Sequence, residues 1–315
     1  MVEFSIITVT KNAAATLERS ILSVAKQRHR PLDYIIVDGA SSDATPAIVA
    51  EYGNVVTRFV SEPDQGIYDA MNKGLALARG DFVYFLGADD RLIDGEVLAD
   101  VAASLDRAPC DFLYGGIEVR FVDGRAVPFM PPPPEEALAF MICGCLPHQA
   151  SFASRRAFEI AGKFDPRYRI AGDYDWFLRV LTADGLVTRR TERTIASYQM
   201  GGLSNRLRES QAEVYAIQNA LPLYQRADWL RRRVRVFQRR LLSERRRQMP
   251  AAVSGRSRVG TVLGLSGAVF GYLWVCLIGG LASRPWLERR LTRLQRDILD
   301  YRITNDVPDS LIRVP

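Results

Sequence analysis

Phe82-Val83-Tyr84-Phe85-Leu86-Gly87-Ala88-Asp89-Asp90 is an apolar run that stops on two adjacent carboxylates. Its β-branched and aromatic residues follow a Gly-Asp turn, so the pattern predicts a buried strand over Phe82–Leu86. Open α/β sheets bind their ligands beyond the carboxyl ends of the strands, and Asp89 and Asp90 fall there. Two hard oxygen donors at one strand tip suit Mg²⁺ or Mn²⁺, with a diphosphate completing the shell.

Outward from this strand, strand and helix signals alternate. Phe4–Val9 and Tyr34–Val37 read as apolar strands, and Val55–Val60 as a third. Helical spacing covers Ala13–Lys26, a stretch from Ser42-Asp43-Ala44-Thr45-Pro46 to about Tyr52, and Ile67–Leu77. This order predicts an α/β fold with a Rossmann-like, mostly parallel central sheet flanked by helices. Gly95–Leu105 adds a helix. Phe112–Phe121 and Ala126–Met130 then form a hairpin about Asp123-Gly124, and Pro131–Pro134 forces an extended connection. Asp173–Leu181 and Glu209–Leu221 read as helices, with Val187–Ser197 rich in strand signals between them.

The formal charge of +6 hides a division. Residues 1–225 carry 23 Lys/Arg against 29 Asp/Glu, whereas residues 226–315 carry 19 against 7. The expected organisation is an acidic globular domain over 1–225 and a basic, helical C-terminal region over 226–315. Within that region, 259–283 is 25 residues without a charge, long enough to span a hydrocarbon core of about 30 Å as a helix. A buried helical hairpin is the other reading of the segment. Arginines on both flanks leave its orientation open and favour anionic lipid by about 1 kcal/mol per charge near the surface. Nucleic acid is not expected as a partner, because the basic residues are not on the folded domain among aromatic platforms. Four cysteines without a CxxC pair read as reduced thiols, and Met1-Val2-Glu3-Phe4 lacks the basic and apolar regions of a signal peptide.

Four ordered blocks carry a family resemblance. They are Ser5-Ile6-Ile7-Thr8-Val9-Thr10-Lys11-Asn12, Val37-Asp38-Gly39-Ala40-Ser41-Ser42-Asp43-Ala44-Thr45, Glu62-Pro63-Asp64-Gln65-Gly66-Ile67-Tyr68-Asp69-Ala70-Met71-Asn72-Lys73-Gly74, and Ala171-Gly172-Asp173-Tyr174-Asp175-Trp176-Phe177-Leu178-Arg179. Over residues 4–205 the chain resembles a family 2 glycosyltransferase with the GT-A fold, of the bacterial exopolysaccharide and colanic-acid type. The resemblance implies transfer of a sugar, with inversion, from a nucleotide-diphosphate donor. A divalent cation, Mg²⁺ or Mn²⁺, would stabilise the departing diphosphate as a Lewis acid.

On that resemblance Asp89 is the metal ligand and Asp173 the catalytic base for the acceptor hydroxyl. Thr8, Thr10, Asn12, Asp38, Asp64, Gly66, Lys73 and Asp90 line the nucleotide-sugar site. Several have a plainer reading as well. Asp38 fits a turn, Lys73 an exposed helix lysine, Asp89 and Asp90 a helix cap, and Asp173 a cap at its own helix N-terminus. His148 and Gln149 follow Pro147 and match an acceptor-side block, so they are expected to contact acceptor or diphosphate; a core histidine is the alternative. The chain departs from the family twice. Gly87 stands where the first acid of Asp-x-Asp is usual, and Gly172 where Glu precedes the base. Met200–Arg206 is glycine-rich and suits a mobile lid.

The expected enzyme therefore acts at the cytoplasmic face of the inner membrane on a lipid-linked saccharide, in cell-surface polysaccharide synthesis. Polyprenyl-phosphate transfer, which needs no general base, is one alternative. A catalytically degenerate, membrane-bound nucleotide-sugar scaffold is the other. Whether the protein forms a homo-oligomer is left open.

Overall fold

The computed structural model describes residues 2–30, 32–200, 207–247 and 283–304. They fall into two compact units divided between residues 205 and 206, earlier than the boundary at 225 expected from charge. The expected lid lies largely in 201–206, and all but the last residue of the apolar segment lies in 259–282. Both stretches are outside the described residues.

The first unit is built on a sheet that the described residues make nine-stranded. β1 (Phe4–Thr10) is buried along nearly its whole length. It pairs in parallel with β2 (Leu32–Asp38) on one side and β4 (Phe82–Phe85) on the other, and β2 pairs in parallel with β3 (Arg58–Ser61). In this half the crossovers are α1 (Leu17–Ala25), α2 (Thr45–Glu51) and α3 (Ile67–Leu77). The register sets Thr10 opposite Asp38, so β1 and β2 end together.

Beyond β4 the direction changes. β8 (Ser151–Ser154) runs antiparallel to β4 and to β6 (Phe112–Arg120). The order is β3-β2-β1-β4-β8-β6-β9-β5, where β5 is Arg91–Leu92 and β9 is Thr188–Gln199. β7 (Ala126–Phe129) forms the hairpin with β6. The sheet is thus mixed, not mostly parallel. The cause is β8, four residues that enter the centre of the sheet from a turn rather than through a helical crossover.

On one face α1 and α4 (Val97–Arg107) cover Phe4, Ile6, Tyr34, Ile36 and Tyr84. On the other, α3 approaches β1 closely at Gly74, where an added Cβ would lie 2.5 Å from Ile7 Cγ2. An aromatic cluster supports the next two helices, α6 (Arg155–Ala161) and α7 (Gly172–Thr182). Trp176 stacks on Phe158 at 4.6 Å, and Phe164 meets Tyr68, Phe85 and Trp176. Burial of such rings stabilises by roughly 1.5–3 kcal/mol each, and it fixes α7 relative to α3. The remaining helix of this unit is α5 (Pro134–Phe140), begun by a proline in its first turn with Glu135 and Glu136 behind it.

The second unit contains α8 (Leu207–Ala220), α9 (Ala227–Arg247) and a helix over Arg284–Thr304. Leu230, Val234, Phe237 and Leu241 share a helical face of α9 and are buried, as are Leu287, Leu291, Leu294 and Ile298 of the helix it packs against. Arg233 is buried too. Its guanidinium reaches Gln218 and Asn219 and lies 5.4 Å from the centre of the Tyr224 ring. No helix among the described residues is long and apolar enough to cross a membrane.

Candidate active site

The chain after β4 turns back through an Asp90 N–H bond to the Gly87 carbonyl, 3.1 Å. This leaves Asp89 exposed and Asp90 buried at 3%. Asp90 accepts from the Gln199 backbone N–H at 3.1 Å. Burial and the charge of Asp89 push its pKa up to about 7, against the pull of His148 and the Gln199 and Gln149 hydrogen bonds. The glycine at 87 has a local reason: a Cβ there would lie 2.5 Å from Asp90 Oδ2 and 3.1 Å from Asp89 Oδ1. The Asp90 carboxylate occupies the space into which a side chain at 87 would grow.

Asp173 stands in the first turn of α7. The Tyr68 hydroxyl lies 3.0 Å from its Oδ1 and 2.6 Å from the Ile170 carbonyl oxygen, and the Tyr174 N–H donates to the same Oδ1. His148 Nδ1 is 3.5 Å from Oδ2. His148 sits in a short 3₁₀ turn, His148–Ala150, which the Tyr84 hydroxyl anchors by donating to the Gln149 carbonyl. Burial opposes the charging of His148. The hydrogen bond and charge of Asp173, with Asp90 and Asp89 behind them, outweigh it and hold the pKa above its ordinary value. Burial, then the charge of Asp173, keep the Tyr68 phenol far above its usual range. Asp175, by contrast, is tied to Arg179 at 2.9 Å. Asp89, Asp90, His148, Gln149 and Asp173 are therefore brought together from three separate parts of the chain.

The nucleotide side is more varied. Asp38 is fully buried; it accepts from the Ser41 N–H at 3.0 Å, from the Ser61 hydroxyl at 2.6 Å and from the Ser41 hydroxyl. Beside it in register, the buried Thr10 hydroxyl has no partner among the described residues. Gly39 lets the Asp64 carboxylate close in, since a Cβ there would meet Asp64 Oδ2 at 2.1 Å. Asp64 in turn accepts from the Gly66 N–H at 2.9 Å. Gly66 caps α3 at φ 131°, a conformation that other residues adopt only with strain.

Three of the expected residues make contacts within the protein. Thr8 is fully buried and shares a hydrogen bond with the Tyr34 hydroxyl, on the face of β1 that carries Phe4 and Ile6. Lys73 is engaged by acidic neighbours. Its ammonium reaches Glu62 at 2.8 Å, Asp69 at 3.4 Å and the Pro63 carbonyl at 2.8 Å, which staples the 62–64 segment to α3. Asn12 adopts φ 51° and binds Ser41 and Ser42, so it knits two loops together. Tyr68, to which the sequence reading gave no role, joins this cluster through its hydroxyl. It lies in a motif block, yet its partner is 105 residues away in sequence.

Among the described residues, no group of three or more His, Cys, Asp or Glu could hold a metal alone. The exposed Asp89 carboxylate stands over a buried one whose pKa burial and the Asp89 charge raise. Asp89 fits a cation whose other ligands are diphosphate and water.

A model of the glycosyl transferase family 2 domain matches residues 5–159. A PGL/p-HBAD biosynthesis glycosyltransferase of Mycobacterium tuberculosis is 38% identical over 210 residues, covering 64% of this chain and 79% of the relative. Poly(ribitol-phosphate) beta-N-acetylglucosaminyltransferase TarS of Staphylococcus aureus is 35% identical over 133 residues, which is 41% of this chain and 23% of that protein. In structure, residues 1–349 of S. aureus TarS in complex with UDP-GlcNAc superpose with a TM-score of 0.59 at 17% identity, over 96% of this chain and 91% of that one. A mannosyltransferase from Pyrobaculum calidifontis, in complex with GDP-Man and Mn²⁺, gives a TM-score of 0.52 at 15% identity, over 96% and 86%. These two likenesses speak to the fold.

Proposed function

The chain belongs to glycosyl transferase family 2, and from that premise we propose that it moves a sugar, with inversion, from a nucleoside-diphosphate donor to a hydroxyl of a lipid-linked saccharide. The observation that carries this reading is the convergence of Asp173 and His148 on the Asp89-Asp90 strand tip, beyond the carboxyl ends of parallel strands.

Asp173 takes the acceptor proton as the acceptor oxygen attacks C1. Its carboxylate is already aimed: Tyr68 and the Tyr174 N–H hold one oxygen, and the other faces His148. His148, whose charged form Asp173 favours, and Gln149 stand on the side where diphosphate charge develops. Asp89 would hold Mg²⁺ or Mn²⁺, which supplies Lewis-acid stabilisation of that diphosphate when bound. Thr10 and Asp38 receive the nucleoside, the unpartnered Thr10 hydroxyl being the group in need of one. The degenerate-scaffold alternative rested on two missing acids. Each of those positions is a glycine whose space another group of the same site fills, which favours turnover.

The donor base is open between uracil and guanine, for neighbours of the same fold are complexes of UDP-GlcNAc and of GDP-Man. Membrane attachment through residues 226–315, and with it a place at the cytoplasmic face, is supported by their 19 Lys/Arg against 7 Asp/Glu. The test is binding and turnover of UDP-, GDP- and dTDP-sugars by the full chain, with and without Mn²⁺ or Mg²⁺. Cation-dependent use of one donor is expected. Folded protein that binds none of them would overturn the reading.

A further inference from the structure

Gly172 is the position where the family places an acid before its base, and its space is taken. A Cβ on Gly172 would lie 2.7 Å from both Cδ2 and Cε2 of the Tyr68 ring and 2.9 Å from its Cγ. The ring has moved in from α3, and its hydroxyl arrives within reach of Asp173. We propose that Tyr68 is the positioning residue for Asp173, holding Oδ1 from α3 so that Oδ2 faces His148 and the acceptor. This rests on the reading of Asp173 as the base.

The geometry suits a group that must serve two protonation states. While Asp173 is ionised, the Tyr68 proton lies between two acceptors, the Ile170 carbonyl at 2.6 Å and Asp173 Oδ1 at 3.0 Å. In the transfer step the acceptor oxygen bonds to C1, and the C1–O bond to the diphosphate breaks with its electron pair on the leaving nucleoside diphosphate. The acceptor proton passes to Asp173. The new carboxylic acid carries that proton on Oδ2, the oxygen facing the acceptor, and Oδ1 becomes its carbonyl oxygen, which still accepts from the Tyr68 hydroxyl. The contact survives the reaction because Oδ1 is an acceptor both in the carboxylate and in the acid protonated on Oδ2. A phenyl ring would keep the packing against Phe164 and Gly172 and lose the hydrogen bonds to Asp173 and Ile170.

A readout independent of donor and acceptor is available, because the chain has only two histidines, His29 and His148. His148 is faced by Asp173 from α7 and by Asp90 and Asp89 from the end of β4, and Asp173 is faced in turn by Tyr68, His148 and Cys145. Following the His148 ring by NMR through a pH titration of metal-free, full-length protein should show three things. Asp173→Asn lowers its midpoint, since the charge that holds it up is gone. Tyr68→Phe shifts it by ~0.5 pH unit or more, and Gly172→Ala, which pushes the ring away, shifts it too. In the Asp173→Asn background, Tyr68→Phe leaves the midpoint where it was. An unchanged midpoint in Tyr68→Phe, or an equal shift without Asp173, overturns the proposal. In transfer assays Tyr68→Phe should lower kcat about tenfold with donor KM unchanged. If Asp173→Asn keeps its rate, the base reading fails on its own, and the titration still decides whether Tyr68 holds the carboxylate.

Discussion

At the scale of single residues, the carboxylates were legible because each ends an apolar run: a strand that stops on Asp must deliver it to the sheet's edge. Asp38, Asp89 and Asp90 are such cases. The burial of Thr8 was not legible because its facing depends on strand register, nor were the three partners of Lys73, which helix spacing does not show. Replacing Asp173 by Asn should spare donor binding, measured by nucleotide-sugar titration, and cut transfer by at least ~10²-fold, the low end of general-base catalysis. Near-normal transfer would point to a phosphate acceptor. Asp90 makes a separate prediction for metal-free protein. It takes up its proton near pH 7 when folded, against an ordinary carboxyl value near 4 when unfolded. Between those values the native state binds more protons, so this group's contribution to stability is full below about pH 4 and is lost as pH rises through about 7. Asp90→Asn should therefore raise the unfolding temperature at pH 8, by an amount worth roughly 2–4 kcal/mol, with the gap narrowing towards pH 4. An equal melting temperature at pH 8 would show that the charge is already compensated.

At the scale of elements, long periodic segments were readable and short irregular ones were not. α3 begins and ends where its pattern says, at Ile67 and Leu77. β8 was hidden because Ser151–Ser154 is too short to show a period, yet it sits between β4 and β6 and decides the sheet's character. α5 was hidden by prolines: Pro131–Pro134 reads as extended chain, but the last of them starts a helix. The entry to α3 is the element most exposed to test. Gly66 has open space around its missing Cβ, so a substitution there is penalised by its backbone alone. Gly66→Ala and Gly66→Ser should lose the same ~1–3 kcal/mol of stability in thermal melts, and both should weaken nucleotide-sugar binding as the Asp64 contact shifts. Unequal losses that follow side-chain size would place the penalty in packing instead.

At the scale of the molecule, the change in charge falls near residue 225, while the packing divides the chain between residues 205 and 206. α8 belongs with the basic helices although its own sequence is nearly neutral, because what assigns it is packing rather than charge. A chain ending at Asn205 should keep donor binding and lose co-sedimentation with vesicles rich in anionic lipid. Truncated protein that still sediments with the vesicles would place the attachment in the first unit.

The insertion of β8 beside β4 also has a consequence for how the protein is made. Phe82-Val83-Tyr84-Phe85 leaves the ribosome with only one of its two neighbouring strands already synthesised. At the usual ~5–20 residues per second, the nascent chain grows for some seconds before Ser151–Ser154 emerges to cover that edge. During that interval an apolar strand stands open to other chains, which makes elongation rate and chaperone access determinants of yield.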